Sequence, residues 1–94
     1  MTQSFADQAR AMLTDVGFGG CDPGFNYLRT FPGTGSIGVQ GCNQSTNVLR
    51  VTIYRNPSYL SVLRTDDFAT LAQAVGIAIT FMDALQKMKE GIND

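Results

Sequence analysis

A chain of 94 residues is too short for a doubly wound dinucleotide-binding fold or a bilobal kinase, so a single domain spanning 1–94 is expected. Charged side chains make up 16% and the formal net charge is −1, a balance that argues against a broad nucleic-acid track and leaves uncharged surface for a partner. With no histidine and only two cysteines, Cys21 and Cys42, the chain cannot build a four-ligand zinc site unless carboxylates or another chain contribute, and neither a metal nor a cofactor is expected.

The opening MTQSFADQARAML has no basic segment ahead of an apolar run, which is not the pattern of a signal peptide, and a cytoplasmic protein is the expectation. Ser4 and Asp7 stand at capping-box spacing. Phe5, Ala9, Met12 and Val16 then follow one helical stripe, with Ala6 and Leu13 beside it. A helix over about 4–16 is predicted, ended by Gly17 in a left-handed conformation, with Gly19-Gly20 opposing its continuation. CDPG, residues 21–24, reads as a turn. Cys21 is expected as a small core residue near the helix end, and both thiols as reduced and partly buried.

FNYLRTF (about 25–31) and SIGVQGC (about 36–42) read as short strands, one of which the glycines could degrade into loop. NQSTN, 43–47, is a polar loop. VLRVTIYR, about 48–55, alternates Leu49, Val51 and Ile53 against Arg50, Thr52 and Tyr54, the period of a strand buried on one side. NPS then reverses the chain into YLSVLR, about 59–64, in which Leu60 and Val62 oppose Tyr59 and Ser61.

The final helix is predicted over about 66–89, capped by Thr65, with Asp66 and Asp67 in its first turn and Lys87 and Lys89 near its end. Phe68, Leu71, Val75, Ala78, Met82 and Leu85 form one apolar stripe; Ala74, Ile77, Phe81 and Met88 form a second, so the helix needs two neighbours. The sheet supplies one. For the other there are two candidates, the first helix or a second copy meeting Ala72, Gly76, Ile77, Thr80 and Phe81. Substituting Leu71 or Phe81 by Ala should cost about 2–5 kcal/mol if the side chain is fully buried. The uncharged run Phe68–Met82 falls short of a bilayer span, and no membrane association is expected. The architecture is α+β, in the order α-β-β-β-α, with an antiparallel sheet and both helices on one face.

GTGSIG, residues 33–38, matches the G-x-G-x-x-G of nucleotide-binding loops. A dinucleotide loop must open a helix whose amino end faces pyrophosphate, whereas VQGCNQSTN is a poor helix former. A kinase loop needs a downstream strand lysine, and no lysine precedes Lys87. The glycines are therefore assigned to a turn and a strand. Glu90 is the single glutamate, and neither cysteine has a recognisable base beside it, so the chain is read as non-enzymatic, with a cysteine-based enzyme as a remote alternative.

Between Phe25 and Arg64 lie Arg29, Arg50, Arg55 and Arg64 and no acid, while most of the acids sit on the helices or their caps. Arg50 and Tyr54 share a strand face that Tyr59 can join, and Tyr27 and Arg29 share a face of the first strand. Arginine and tyrosine dominate the energetics of many protein interfaces. The expected function is a protein–protein interaction module, a homodimeric adaptor or a stoichiometric inhibitor, binding through Arg50, Tyr54, Tyr59, Arg29 and Arg55. Nucleic acid, stacked on the tyrosines, is the second reading.

Overall fold

The computed structural model describes residues 4–21, 25–42, 46–55 and 57–92. The turn expected at 22–24, most of the loop at 43–47, and Asn56 of the NPS reversal lie outside the described residues.

Helix α1 spans Phe5–Asp15, and its N-cap Ser4 accepts a hydrogen bond from the Asp7 backbone N–H at 3.1 Å. Asp7 pairs one turn on with Arg10 at 2.9 Å. Ala6, Ala9 and Leu13 are buried, and Phe5, Met12 and Val16 pack around them. The helix closes with Phe18 N–H donating to Leu13 O at 2.9 Å and Gly17 N–H to Thr14 O at 3.2 Å. With Gly17 at φ +91, these two bonds make a Schellman closure, and Phe18 is swept into the core.

That reversal delivers a strand the sequence did not disclose, β1 (Gly19–Cys21), where a helix stop followed by a turn was expected. Its glycines are poor strand formers, but the backbone pairs Gly19 with Leu28, Gly20 with Tyr27 and Cys21 with Asn26. A Cβ at Gly20 would lie 2.3 Å from the Tyr27 ring, so the missing side chain makes room for the aromatic. Cys21 thus belongs to an edge strand rather than to the helix end; its side chain is outside the described residues.

Strands β2 (Asn26–Phe31), β3 (Gly35–Gly41), β4 (Leu49–Arg55) and β5 (Ser58–Thr65) continue an antiparallel meander in the order β1-β2-β3-β4-β5. Neither of the first two expected strands is a loop. Phe31, Ile37, Val39, Leu49, Val51 and Ile53 face the helices and are buried. The domain is therefore α+β, a five-stranded antiparallel sheet with two helices on one face.

The β4–β5 register runs Val51 against Leu63 and then Thr52 against Ser61, skipping Val62. This bulge breaks the alternation expected for YLSVLR. Leu60 and Leu63, not Leu60 and Val62, share the helix side, because both pair with residues of β4 that face the core.

Helix α2 spans Phe68–Ile92. Its cap is Asp67 rather than Thr65: the carboxylate accepts from Thr70 N–H at 2.9 Å and from the Thr70 hydroxyl at 2.8 Å. Thr65 Oγ1 instead accepts from Asp67 N–H at 3.0 Å, which orients the cap. The backbone and hydroxyl donors of Thr70 hold the Asp67 carboxyl below the ordinary carboxylate range. Because the folded pKa is depressed, the stabilisation is present above the unfolded-state pKa and lost as pH falls through the folded one. Asp67→Ala should lower Tm at neutral pH, with the difference from wild type vanishing in strong acid; thermal melts at the two pH values check it.

Leu71, Ala74, Val75, Ala78 and Met82 bury α2 against the sheet and α1. The segment Phe68–Lys89, with mean hydropathy 1.6, is long and apolar enough to cross a membrane by length and composition. The run is longer than the uncharged stretch Phe68–Met82 because a span tolerates an isolated charge such as Asp83. In the fold, one stripe of this helix packs on protein.

Candidate interaction surfaces

The GTGSIG stretch forms the β2–β3 hairpin. Thr34 N–H donates to Phe31 O at 2.9 Å, and Pro32 followed by Gly33 at φ +75 fits a type II turn. Gly35, Ser36, Ile37 and Gly38 then belong to β3. The glycines lead into a strand, not a helix; the helix end that meets them is the C-terminal one, where Lys89 Nζ donates to Gly33 O and Gln86 Nε2 to Pro32 O. A helix C-terminus carries negative partial charge, the wrong sign for a phosphate cradle.

The sheet face turned away from the helices is the first surface. Cross-strand register places Asn26 beside Gln40, Gln40 beside Arg50, and Arg50 beside Arg64. Gln40 Nε2 donates to Asn26 Oδ1 at 3.4 Å, and Gln40 Oε1 accepts from Arg50 Nη2 and from the Tyr54 hydroxyl, each at 3.5 Å. Tyr54 lies across Gly38, where a Cβ would stand 2.9 Å from the ring, and its ring is tilted to that of Tyr59 with centroids 6.5 Å apart. Between these groups is a recess of about 260 Å³ bounded by Arg50, Thr52, Tyr54, Tyr59 and Ser61. Thr52, on its floor, is 3% exposed although no helix covers this face.

Arg50, Tyr54 and Tyr59 are thus brought together, and Arg29 and Arg55 are not with them. Arg29 points to the helix side, where Nη1 donates to Val16 O at 3.1 Å and the guanidinium lies 4.5 Å over the Phe31 ring. Arg55 pairs with Ser58 at the far end of β4. Conversely, Arg64 joins Arg50 because the Val62 bulge shifts β5 by one residue. Strict alternation from Tyr59 would place Arg64 on the helix side, so its position beside Arg50 depends on the bulge and not on the local pattern.

The second surface lies where β5 meets α2. Leu60 is 63% exposed on the helix side of β5, and Ile77 and Phe81 are 64% and 45% exposed on α2. Leu60 and Phe81 line a recess of about 500 Å³ that also includes Arg55 and Pro57. Phe81 continues into a second recess of about 550 Å³ with Gln73, Gly76, Ile77 and Thr80. Gly76 is exposed, and a Cβ there would meet no atom within 4 Å. Thr80 returns its hydroxyl to Gly76 O at 2.9 Å, and Ala72 is half-buried. Helix α1 therefore does not cover the Gly76–Ile77–Thr80–Phe81 ridge.

Cys42 is a half-buried free thiol, its backbone N–H bonded to Val48 O at 2.9 Å. Among the described residues no three His, Cys, Asp or Glu side chains gather to hold a metal. Compared with known proteins, the chain matches no family model, no curated protein and no solved structure.

Proposed function

We propose that this chain is a small protein-interaction module that self-associates through the free edge of β5 and the apolar groove between β5 and α2, and acts as an adaptor or stoichiometric inhibitor once assembled. One observation carries the reading: the exposed Leu60, Phe81 and Ile77 run beside the last strand of the sheet. An edge strand presents a row of backbone donors and acceptors, and an adjacent apolar patch adds burial to that pairing.

A second copy fits this edge by charge and symmetry. Arg64 is the one charged residue of β5. Antiparallel pairing of two β5 strands about Ser61 and Val62 sets Leu60 against Leu63 and Tyr59 against Arg64, so the arginines meet aromatic rings rather than each other. The contact is isologous and closes at a dimer.

Sedimentation velocity across a wide concentration range tests it. The wild-type chain is expected to sediment as a dimer, and Phe81→Asp as a monomer whose circular dichroism is unchanged, because the ring is half-exposed. A concentration-independent wild-type monomer, or a dimer indifferent to Phe81→Asp, would refute the proposal.

A further inference from the structure

The open face of the sheet, opposite the self-association groove, contains an electrostatic arrangement that the dimer does not explain. Arg50 and Arg64 are direct cross-strand neighbours, a like-charge pairing that destabilises a sheet unless a counter-charge lies near. Among the described residues the single ion pair is Asp7–Arg10 on α1, so neither arginine has one. Arg50 is further under-satisfied: its Nε is buried without a hydrogen bond, and its Nη2 reaches Gln40 only at 3.5 Å.

We propose that the recess bounded by Arg50, Thr52, Tyr54, Tyr59 and Ser61, with Arg64 beside it, binds the carboxylates of an extended acidic segment of a partner protein. Arg50 and Arg64 supply the charge, and Ser61 a hydroxyl donor. Tyr59, 74% exposed, and Tyr54 wall the recess and flank the aliphatic part of an entering glutamate. Charge complementarity selects an acidic segment, since the described residues of this face carry arginine and no acid. The small number of cations selects protein over nucleic acid: two arginines and no lysine supply too few phosphate contacts to hold a strand at physiological salt.

The test is a fluorescence-anisotropy titration of the full chain with a labelled glutamate-rich decapeptide, a glutamine-rich decapeptide of equal length, and a single-stranded RNA. The acidic peptide should bind, with affinity falling as salt rises, and Arg50→Gln and Arg64→Gln should each weaken it about tenfold or more, as expected for loss of a charged hydrogen-bonding partner. Neither variant should lose the fold; Arg50→Gln should raise Tm slightly by relieving the opposed charges, which circular dichroism reads. Equal binding of the uncharged peptide, tighter binding of RNA, no binding of the acidic peptide, or unchanged affinity in both folded variants would overturn the assignment. Tyr59 and Arg64 also meet across the proposed β5 pair, so the titration is repeated with Phe81→Asp, which alters the groove on the other side of the sheet and leaves Arg50 and Arg64 in place: acidic-peptide binding retained by that variant and lost in Arg50→Gln separates the carboxylate site from self-association.

Discussion

Gly35→Ala is expected to destabilise the domain severely. Gly35 adopts φ +151, and a Cβ on it would lie 2.2 Å from the Tyr54 carbonyl oxygen, 3.1 Å from Met82 Cε and 3.2 Å from Arg55 Cγ. The two side-chain atoms can yield, but the carbonyl belongs to β4 beside the Ser36–Tyr54 pair and cannot retreat without opening the β3–β4 ladder. Backbone strain and overpacking add here, a loss on the order of 3 kcal/mol or more. A domain of this size has total stability of roughly 5–10 kcal/mol. Urea denaturation followed by circular dichroism should show the transition displaced to a much lower midpoint; a midpoint near that of wild type would contradict the geometry. The same strain means that a bulky substitution in GTGSIG reports folding, and would imitate loss of a nucleotide site in any binding assay.

Leu71→Ala and Phe81→Ala are expected to separate cleanly, although both positions fall on apolar stripes of the same helix. Leu71 is fully buried against the sheet, and its truncation should cost about 2–5 kcal/mol. Phe81 is 45% exposed, so the burial on which a similar cost depended is not met, and its truncation should cost the isolated domain less than about 1 kcal/mol. The loss should appear in self-association instead. Denaturant midpoints measured at low protein concentration check the first effect, and the concentration dependence of sedimentation checks the second. A Phe81→Ala protein as unstable as Leu71→Ala at high dilution would place that ring in the monomer core.

What was legible in the sequence was periodicity. Ser4 before a helical stripe, the alternation of Leu49, Val51 and Ile53, and the Leu71–Val75–Ala78–Met82 spacing each specify an element and its buried side, and the structure buries those sides. Pairing was not legible. Strand β1 has two glycines among its three residues; it exists because the Gly17 closure lays its backbone beside β2, and no side-chain pattern announces that. The Val62 bulge was hidden because YLSVLR alternates plausibly on its own, and only the β4 register shows which residue is skipped. That one omission moved Arg64 to the face of Arg50. Arg29 was misgrouped for a related reason: with Phe31 buried, parity along NYLRTF sends Arg29 to the helix side. The second apolar stripe of α2 was legible as needing a neighbour, the first helix or a second copy, but that Ala74 is covered while Ile77 and Phe81 are not depends on where α1 lies, a tertiary matter.

The claim that β5 and the adjoining face of α2 form the self-association surface is tested most directly by amide hydrogen exchange at low and high protein concentration. Residues 58–65 and 73–81 should gain protection as concentration rises, while β1 and β2 exchange at unchanged rates, because only the former would become an interior strand pair and a covered groove. A protein that dimerises with no added protection in 58–65, or with protection appearing at β1 instead, would place the interface at the opposite edge of the sheet and contradict the account.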